Sequence, residues 1–172
     1  MQQYSAVRSG EYYQVDLYGC REISIFKDDA DYTFFFLILK KYLLNNKKVE
    51  LLAYCLKADG AHVLLYQLEN EQINILVRGI SRDYDEYYFD KYKIQNILSS
   101  GSHVIAKIDI CLIMKASKNI HLMPEDWLDY PYSSIRAYLY DDTPDWLNKG
   151  HIVDLCGTTE NYYSYINRVV AK

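Results

Sequence analysis

The sequence contains no apolar run of the roughly 20 residues that cross a bilayer. Its first residues, MQQYSAVRSGEYY, have neither the apolar stretch nor the cleavage pattern of a signal peptide. We therefore expect a soluble cytoplasmic protein with no membrane partner. The four cysteines lie far apart, and none of them has the CxxC spacing of a zinc or redox site. We interpret them as reduced thiols.

Basic residues are not in excess. Lysine and arginine number 19 against 23 aspartates and glutamates, which gives a net charge of −4 at pH 7. Proteins that bind nucleic acid tightly usually present a basic face, so this balance argues against tight binding but leaves room for a local basic patch.

Prolines are also few, and half of the 172 residues are hydrophobic, which predicts a folded chain with a core of its own.

Tyrosine is the residue that the sequence has in abundance, with 19 copies. Phenol rings can stack on nucleic-acid bases. They serve more often as amphipathic packing residues, and we favour this interpretation. The sequence shows no repeat, no low-complexity segment and no linker.

Hydrophobic periodicity predicts four strands and three helices. The turn KADG joins two neighbouring strands, which should pair as an antiparallel hairpin. The predicted elements are the strand YYQVDLY, a helix over about 30–44, the strands VELLAYCL and AHVLLYQL, a helix over about 72–92, the strand HVIAKI and a helix from about 109 to 121.

The sequence also predicts local features of these elements. Asp28 and Asp29 are candidate N-caps of the first helix, and Gly79 is a candidate break in the second. The segment GCREISIF is predicted as a turn followed by a short extended piece. The near-continuous apolarity of VELLAYCL predicts a strand that is buried on both faces.

The order of these elements, β-α-β-β-α-β, is the split βαβ arrangement of ferredoxin-like folds. We therefore predict an α+β protein in which helices pack on one face of an antiparallel sheet.

Several segments resemble those of a known family. IFKDDADY, VELLAYCLKADGAHVLLY, NIHLMP and DYPYSSIRAYL follow one another as in the single-tyrosine HUH transposases, particularly the REP-associated tyrosine transposases. The later segments DWLN and DLCG resemble the C-terminal end of the same family. The resemblance implies one transposase-like domain over residues 1–172, with a core over about 11–124 and a C-terminal extension over about 125–172.

The resemblance implies a particular chemistry. In this family a tyrosine oxygen attacks a phosphorus of single-stranded DNA and forms a phosphotyrosine link. Two histidines separated by one hydrophobic residue lie on the same face of a strand and hold a Mg²⁺ or Mn²⁺ ion, which withdraws charge from the phosphate. The matching triplet here begins at Gly60 and ends at His62. One imidazole therefore remains, and a glycine stands in place of the other.

The other catalytic positions of the family are also changed. The nucleophilic tyrosine opens the segment that reads NIHLMP here, so its position falls on Asn119, whose amide cannot attack phosphorus. The third metal-assisting position falls on Met123, whose soft sulfur does not suit Mg²⁺ or Mn²⁺. Four tyrosines of the second predicted helix are candidate replacements, but their acidic neighbours would raise a phenol's pKa and repel phosphate; they are Tyr84, Tyr87, Tyr88 and Tyr92.

The residues that hold DNA in the family are reduced in number. The basic loop after the first strand is represented by Arg21, and the basic stretch at the fourth strand by Lys107. Fewer cations make fewer phosphate contacts, which predicts a weaker complex.

We interpret the chain as a transposase-like protein that has lost catalysis, needs no cofactor, and retains weak binding of single-stranded DNA or a regulatory role. One alternative is an active, metal-dependent single-strand DNA transposase or endonuclease with a rebuilt site, whose ligands come from Asp59, His62, His103 or His121. Another is a protein-interaction module that uses an open sheet edge or its tyrosine surface. Both a monomer and a homodimer agree with the resemblance.

Overall fold

The computed structural model describes residues 7–140 and 142–168. The strands are β1 (Glu11–Tyr18), β2 (Val49–Lys57), β3 (Gly60–Gln67) and β4 (His103–Ile108). The helices are α1 (Asp29–Asn45), α2 (Gln72–Tyr92), α3 (Ile113–His121), α4 (Ile135–Leu139), α5 (Gly150–Cys156) and α6 (Thr159–Asn167). Short 3₁₀ turns cover Cys20–Glu22 and Ile110–Leu112. No helix in the described ranges is both long and apolar enough to cross a membrane.

The strands form one antiparallel sheet in the order β2-β3-β1-β4. The predicted α+β class and the order β-α-β-β-α-β are therefore confirmed, as is the hairpin of β2 and β3. The segment GCREISIF begins with a turn, as predicted, which is a 3₁₀ turn at Cys20–Glu22, but residues 23–26 after it are not part of a strand.

The beginning of α1 shows how its sequence starts a helix. The Asp28 carboxylate accepts a hydrogen bond from the backbone N–H of Asp31, and the Asp31 carboxylate accepts one from the backbone N–H of Asp28. This capping box satisfies donors that the first turn of a helix leaves free. Of the two predicted N-caps, Asp28 is the one confirmed.

The predicted break in α2 is absent, because α2 continues without interruption through Gly79. The ring of Tyr42 on α1 lies against this position, and a Cβ atom at Gly79 would be 2.5 Å from Tyr42 Cε1. The glycine therefore allows α1 and α2 to pack closely.

Different helices cover the two faces of the sheet. α1 and α2 pack on the face that presents Tyr13, Val15 and Val63, as predicted. The helices after β4 form a second layer on the opposite face over β2 and β3, which the prediction of helices on one face did not include. A β-bulge between Leu51 and Ala53 helps to place two successive β2 residues in this second core.

The segment after α3 also covers the outer edge of β2. The backbone N–H of Leu56 donates to Tyr132 O at 2.8 Å, and that of Ser134 donates to Tyr54 O at 3.0 Å. Further along, the N–H of Asn148 donates to a β2 carbonyl. On the other side of the sheet, β4 pairs only with β1 within the described ranges.

Candidate functional site

The histidine that the resemblance singles out is paired with an aspartate. His62 lies opposite Asp16 in the register of β3 and β1, and its Nδ1–H donates to Asp16 Oδ1 at 2.8 Å. Both side chains are largely buried, with 7% and 15% of their surface exposed. Asp16 also accepts from Gln14 Nε2 at 3.1 Å. One ring nitrogen of His62 is therefore already occupied.

Tyr18 fills the space beside Gly60, where the family has its other histidine. A Cβ atom at Gly60 would lie 3.0 Å from both Leu17 O and Tyr18 Cδ1. The same ring contacts His62 edge-on, with 5.6 Å between ring centroids. Burial raises the pKa of the Tyr18 phenol, so the ring remains neutral at pH 7. A longer side chain at position 60 would have to displace this packing.

The two positions from the segment NIHLMP lie on the helical layer above β2 and β3. Asn119 is exposed on α3, and its side chain makes no hydrogen bond to another described residue. Met123 is half-buried and packs against the second core. Gly60 and His62 are thus close together in β3, whereas Asn119 and Met123 belong to the end of α3 and the segment after it, and α3 packs over β2 and β3.

His121 has a structural environment. It is fully buried, with Nδ1 2.8 Å from the Tyr162 hydroxyl and Nε2 2.7 Å from Ser134 Oγ. Ser134 Oγ in turn accepts from the backbone N–H of Tyr54 at 2.8 Å. Burial lowers the pKa of His121 to about 3, so the imidazole is neutral and uses one nitrogen as donor and the other as acceptor. Neither nitrogen is available to a metal ion.

The remaining candidates for a rebuilt metal site do not converge on His62. Asp59 is exposed and lies 4.0 Å from the Lys57 ammonium, and His103 begins β4 opposite Leu17. Within the described ranges, no group of three or more histidine, cysteine, aspartate or glutamate side chains is arranged to hold a metal ion. One imidazole and one carboxylate do not fit Mg²⁺, which takes a near-octahedral set of oxygen ligands.

The candidate replacement tyrosines of α2 direct their hydroxyls into the protein. Tyr84 and Tyr88 donate to backbone carbonyls of residues 25 and 24, and Tyr87 and Tyr92 donate to the buried Asp31 carboxylate. Burial raises the pKa of all four phenols, to about 12 for Tyr88 and Tyr92. These hydroxyls attach α2 to α1 and to the segment before α1, and the phenols are poor nucleophiles. The packing interpretation is confirmed for them.

The two predicted DNA contacts differ in their surroundings. Lys107 on β4 forms an ion pair with Glu11, which lowers the pKa of that carboxyl and neutralises the ammonium. Arg21 is exposed in the 3₁₀ turn after β1 and forms no ion pair with another described residue. Of the two, Arg21 keeps its charge available.

Asp16 and Tyr18 were missed at the sequence level, although both belong to the predicted first strand. Asp16 and Tyr18 alternate with buried residues, so the sequence places both side chains on one face of β1. Which residues of β3 lie opposite them depends on the register of the two strands. A register between strands that are distant in sequence cannot be obtained from periodicity.

The chain is similar in structure to a REP-associated tyrosine transposase that was solved bound to a REP hairpin. The TM-score is 0.66 at 15% sequence identity, and the likeness covers 86% of this chain and 92% of that one. No protein-family model and no curated protein matches the chain. At this identity, the likeness shows the shared fold.

Proposed function

We propose that the chain is a transposase-like protein that has lost DNA-strand cleavage and retains binding of hairpin-flanked single-stranded DNA. The observation that carries the loss is the packing of Tyr18 against Gly60, beside the single imidazole of His62. This imidazole already donates to Asp16. The cluster therefore supplies a hydrogen-bonded pair where the chemistry of the family needs two metal ligands.

The chemistry of position 119 supports the same proposal. The lone pair of the Asn119 amide is delocalised, so it cannot replace a phenolate in forming a covalent link to phosphorus. The α2 phenols do not compensate, since their hydroxyls donate inward and their pKa values are raised. Two independent roles, metal binding and nucleophilic attack, thus lack their groups.

DNA binding is supported by the relative in fold, which was solved with a REP hairpin. The net charge of −4 and the neutralised Lys107 lead us to expect a weak complex. Contacts between cations and phosphates release counterions, so the affinity should decrease as salt is added, with a shallow slope because few cations take part.

The test mixes the purified protein with hairpin-flanked single-stranded DNA and Mn²⁺. We expect a complex in fluorescence anisotropy and no covalent protein–DNA species after denaturing electrophoresis. A covalent band would contradict the loss of cleavage. Absence of any complex at low salt would contradict the retained binding and favour a protein-interaction role.

Gly60→His should not recover a functional site. We expect it to lower the free energy of unfolding by about 1–3 kcal/mol, because the added atoms crowd Leu17 O and the ring of Tyr18. Combined with Asn119→Tyr, it should still give no covalent DNA product. Urea denaturation and denaturing electrophoresis measure the two effects.

The matched control for this prediction adds Tyr18→Ala, which removes the ring that occupies the space. The double variant Gly60→His/Tyr18→Ala should be more stable than the sum of the two single changes predicts, because the residues are in contact. If the two effects are simply additive, Tyr18 does not exclude a side chain at position 60.

A further inference from the structure

A pocket of about 610 Å³ lies where the turn after β1 meets the segment between α2 and β4. The two segments are joined by a hydrogen bond from Cys20 N to Ile97 O at 2.9 Å. Its volume is within the range of about 300–1,000 Å³ that is usual for small-ligand sites. Its polar and ionisable lining residues are Cys20, Arg21, Lys93, Gln95, Asn96 and Ser100.

The charge of this pocket is opposite to that of the chain. Arg21 and Lys93 line it, and no carboxylate does. Three other pockets of the described residues each include carboxylates, among them Asp145, Glu160 and Glu86. In a protein with net charge −4, this pocket is therefore a local cationic site suited to an anion.

The backbone around the pocket is also unusual. Five described residues other than glycine have left-handed backbone, and four of them are in these two segments: Arg21 (φ 55°), Glu22 (φ 58°), Lys93 (φ 59°) and Asn96 (φ 55°). Lys93 ends α2, where this conformation is common. The consecutive pair at residues 21–22 has no such explanation. Strained backbone of this kind concentrates at ligand sites.

The lining groups match the parts of a nucleotide. The Arg21 guanidinium and the Lys93 ammonium are donors for phosphate oxygens. Lys93 Nζ donates one hydrogen to Asp90 O at 3.0 Å and has two others to offer. The amides of Gln95 and Asn96 can pair with polar edges of a base, and neighbouring isoleucines supply apolar contact.

We infer that this pocket binds a phosphate-bearing nucleotide within single-stranded DNA, an inference that rests on the proposed function. It lies at the end of the sheet where β1 ends and β3 begins, and therefore at the same end as Gly60 and Tyr18. A nucleotide held by Arg21 and Lys93 would bring the adjoining part of the DNA strand next to Gly60, where the resemblance places a lost metal ligand. The pocket thus acts as the main phosphate contact of the complex.

The first test removes both cations. In fluorescence anisotropy with hairpin-flanked single-stranded DNA, Arg21→Gln/Lys93→Gln should weaken binding about tenfold or more. The slope of log affinity against log salt should become shallower by about 1.4, since each phosphate contact on a single strand contributes about 0.7. The control Lys40→Gln/Lys47→Gln removes two exposed cations elsewhere and should change the affinity less than twofold.

The second test uses the unaltered protein and therefore does not depend on how a variant folds. Cys20 lines the pocket, whereas Cys111 is exposed outside it. Saturating DNA should slow alkylation of Cys20 by iodoacetamide several-fold, as measured by mass spectrometry, and leave Cys111 unchanged. A parallel arm with deoxyadenosine monophosphate shows whether a free nucleotide is also accepted.

The outcomes separate this inference from the proposed function. Two results together would overturn the pocket assignment and leave the proposed function intact. They are DNA binding without protection of Cys20, and equal DNA affinity of the Arg21→Gln/Lys93→Gln variant and its lysine control. Protection by the mononucleotide without DNA binding would overturn the proposed function and the assignment to DNA, and would leave a site for free nucleotides. Protection by DNA supports both.

Discussion

Asp31→Ala should lower the free energy of unfolding by about 2–4 kcal/mol, because it removes a charge-assisted hydrogen bond and half of the capping box of α1. The Asp31 carboxylate is fully buried at the start of α1. It accepts hydrogen bonds from Tyr87 at 2.9 Å, from Tyr92 at 2.8 Å and from the Lys91 ammonium at 2.8 Å, all on α2. Without the carboxylate, the two hydroxyls lose this acceptor and, of its two ion pairs, Lys91 keeps only the one with Asp28.

Urea denaturation at pH 7 measures this effect. Asp90→Ala, on the exposed side of α2, is the control and should remain within about 0.5 kcal/mol of the unaltered protein. Burial alone would raise the pKa of Asp31, but the hydrogen bonds from Lys91 and its neighbours hold it below the ordinary value. Its contribution is therefore present above about pH 4 and lost at lower pH. An Asp31→Ala protein as stable as the control would refute the role of this cluster.

Between pH 7 and pH 4, we expect a loss of about 3 kcal/mol of stability through His121 alone. Its pKa is about 3 in the folded protein, because burial opposes the charged form, and about 6.5 in an unfolded chain. The unfolded state therefore binds a proton in this window that the folded state does not. Stability is complete above pH 6.5 and decreases as the pH falls toward 3, by about 1.4 kcal/mol per pH unit.

The matched variant is His121→Gln, whose amide offers a donor and an acceptor but does not titrate in this range. It should be less stable at pH 7, because it cannot reproduce both contacts to Tyr162 and Ser134. Its stability should nevertheless change less between pH 6.5 and pH 4. Carboxylates such as Asp31 lose their contribution to stability at lower pH, so their effect can be separated from that of His121. If the free energy of unfolding changes with pH in the same way in the unaltered protein and in His121→Gln, then His121 does not cause the acid sensitivity.

The sequence predicted the sheet and its first helices well, because local periodicity determines them. Alternation and the KADG turn were enough to place β1 and the hairpin of β2 and β3. The apolarity of VELLAYCL correctly predicted burial on both faces of β2. That burial requires a second layer, but nothing local identified α3 to α6 as the elements that supply it. Which distant helix covers a strand depends on tertiary packing.

The candidate site was less predictable than the fold. The resemblance identified Gly60 and His62, and β3 does place both beside β1. It did not reveal that Tyr18 occupies the space at Gly60, or that Asp16 pairs with the imidazole, because both depend on the register of β1 with β3. The ion pair of Lys107 with Glu11 was hidden for the same reason, since the two residues are far apart in the chain.

The coverage of β2 by the segment after α3 has a consequence for self-association. Within the described ranges, residues near 132, 134 and 148 already use backbone groups of β2, while β4 has a strand on one side only. Among the described residues, β4 is therefore the strand edge that a second copy can extend through main-chain hydrogen bonds, β4 against β4. A pair joined in this way uses the β4 edge of both copies, so a third copy could not be added through that edge.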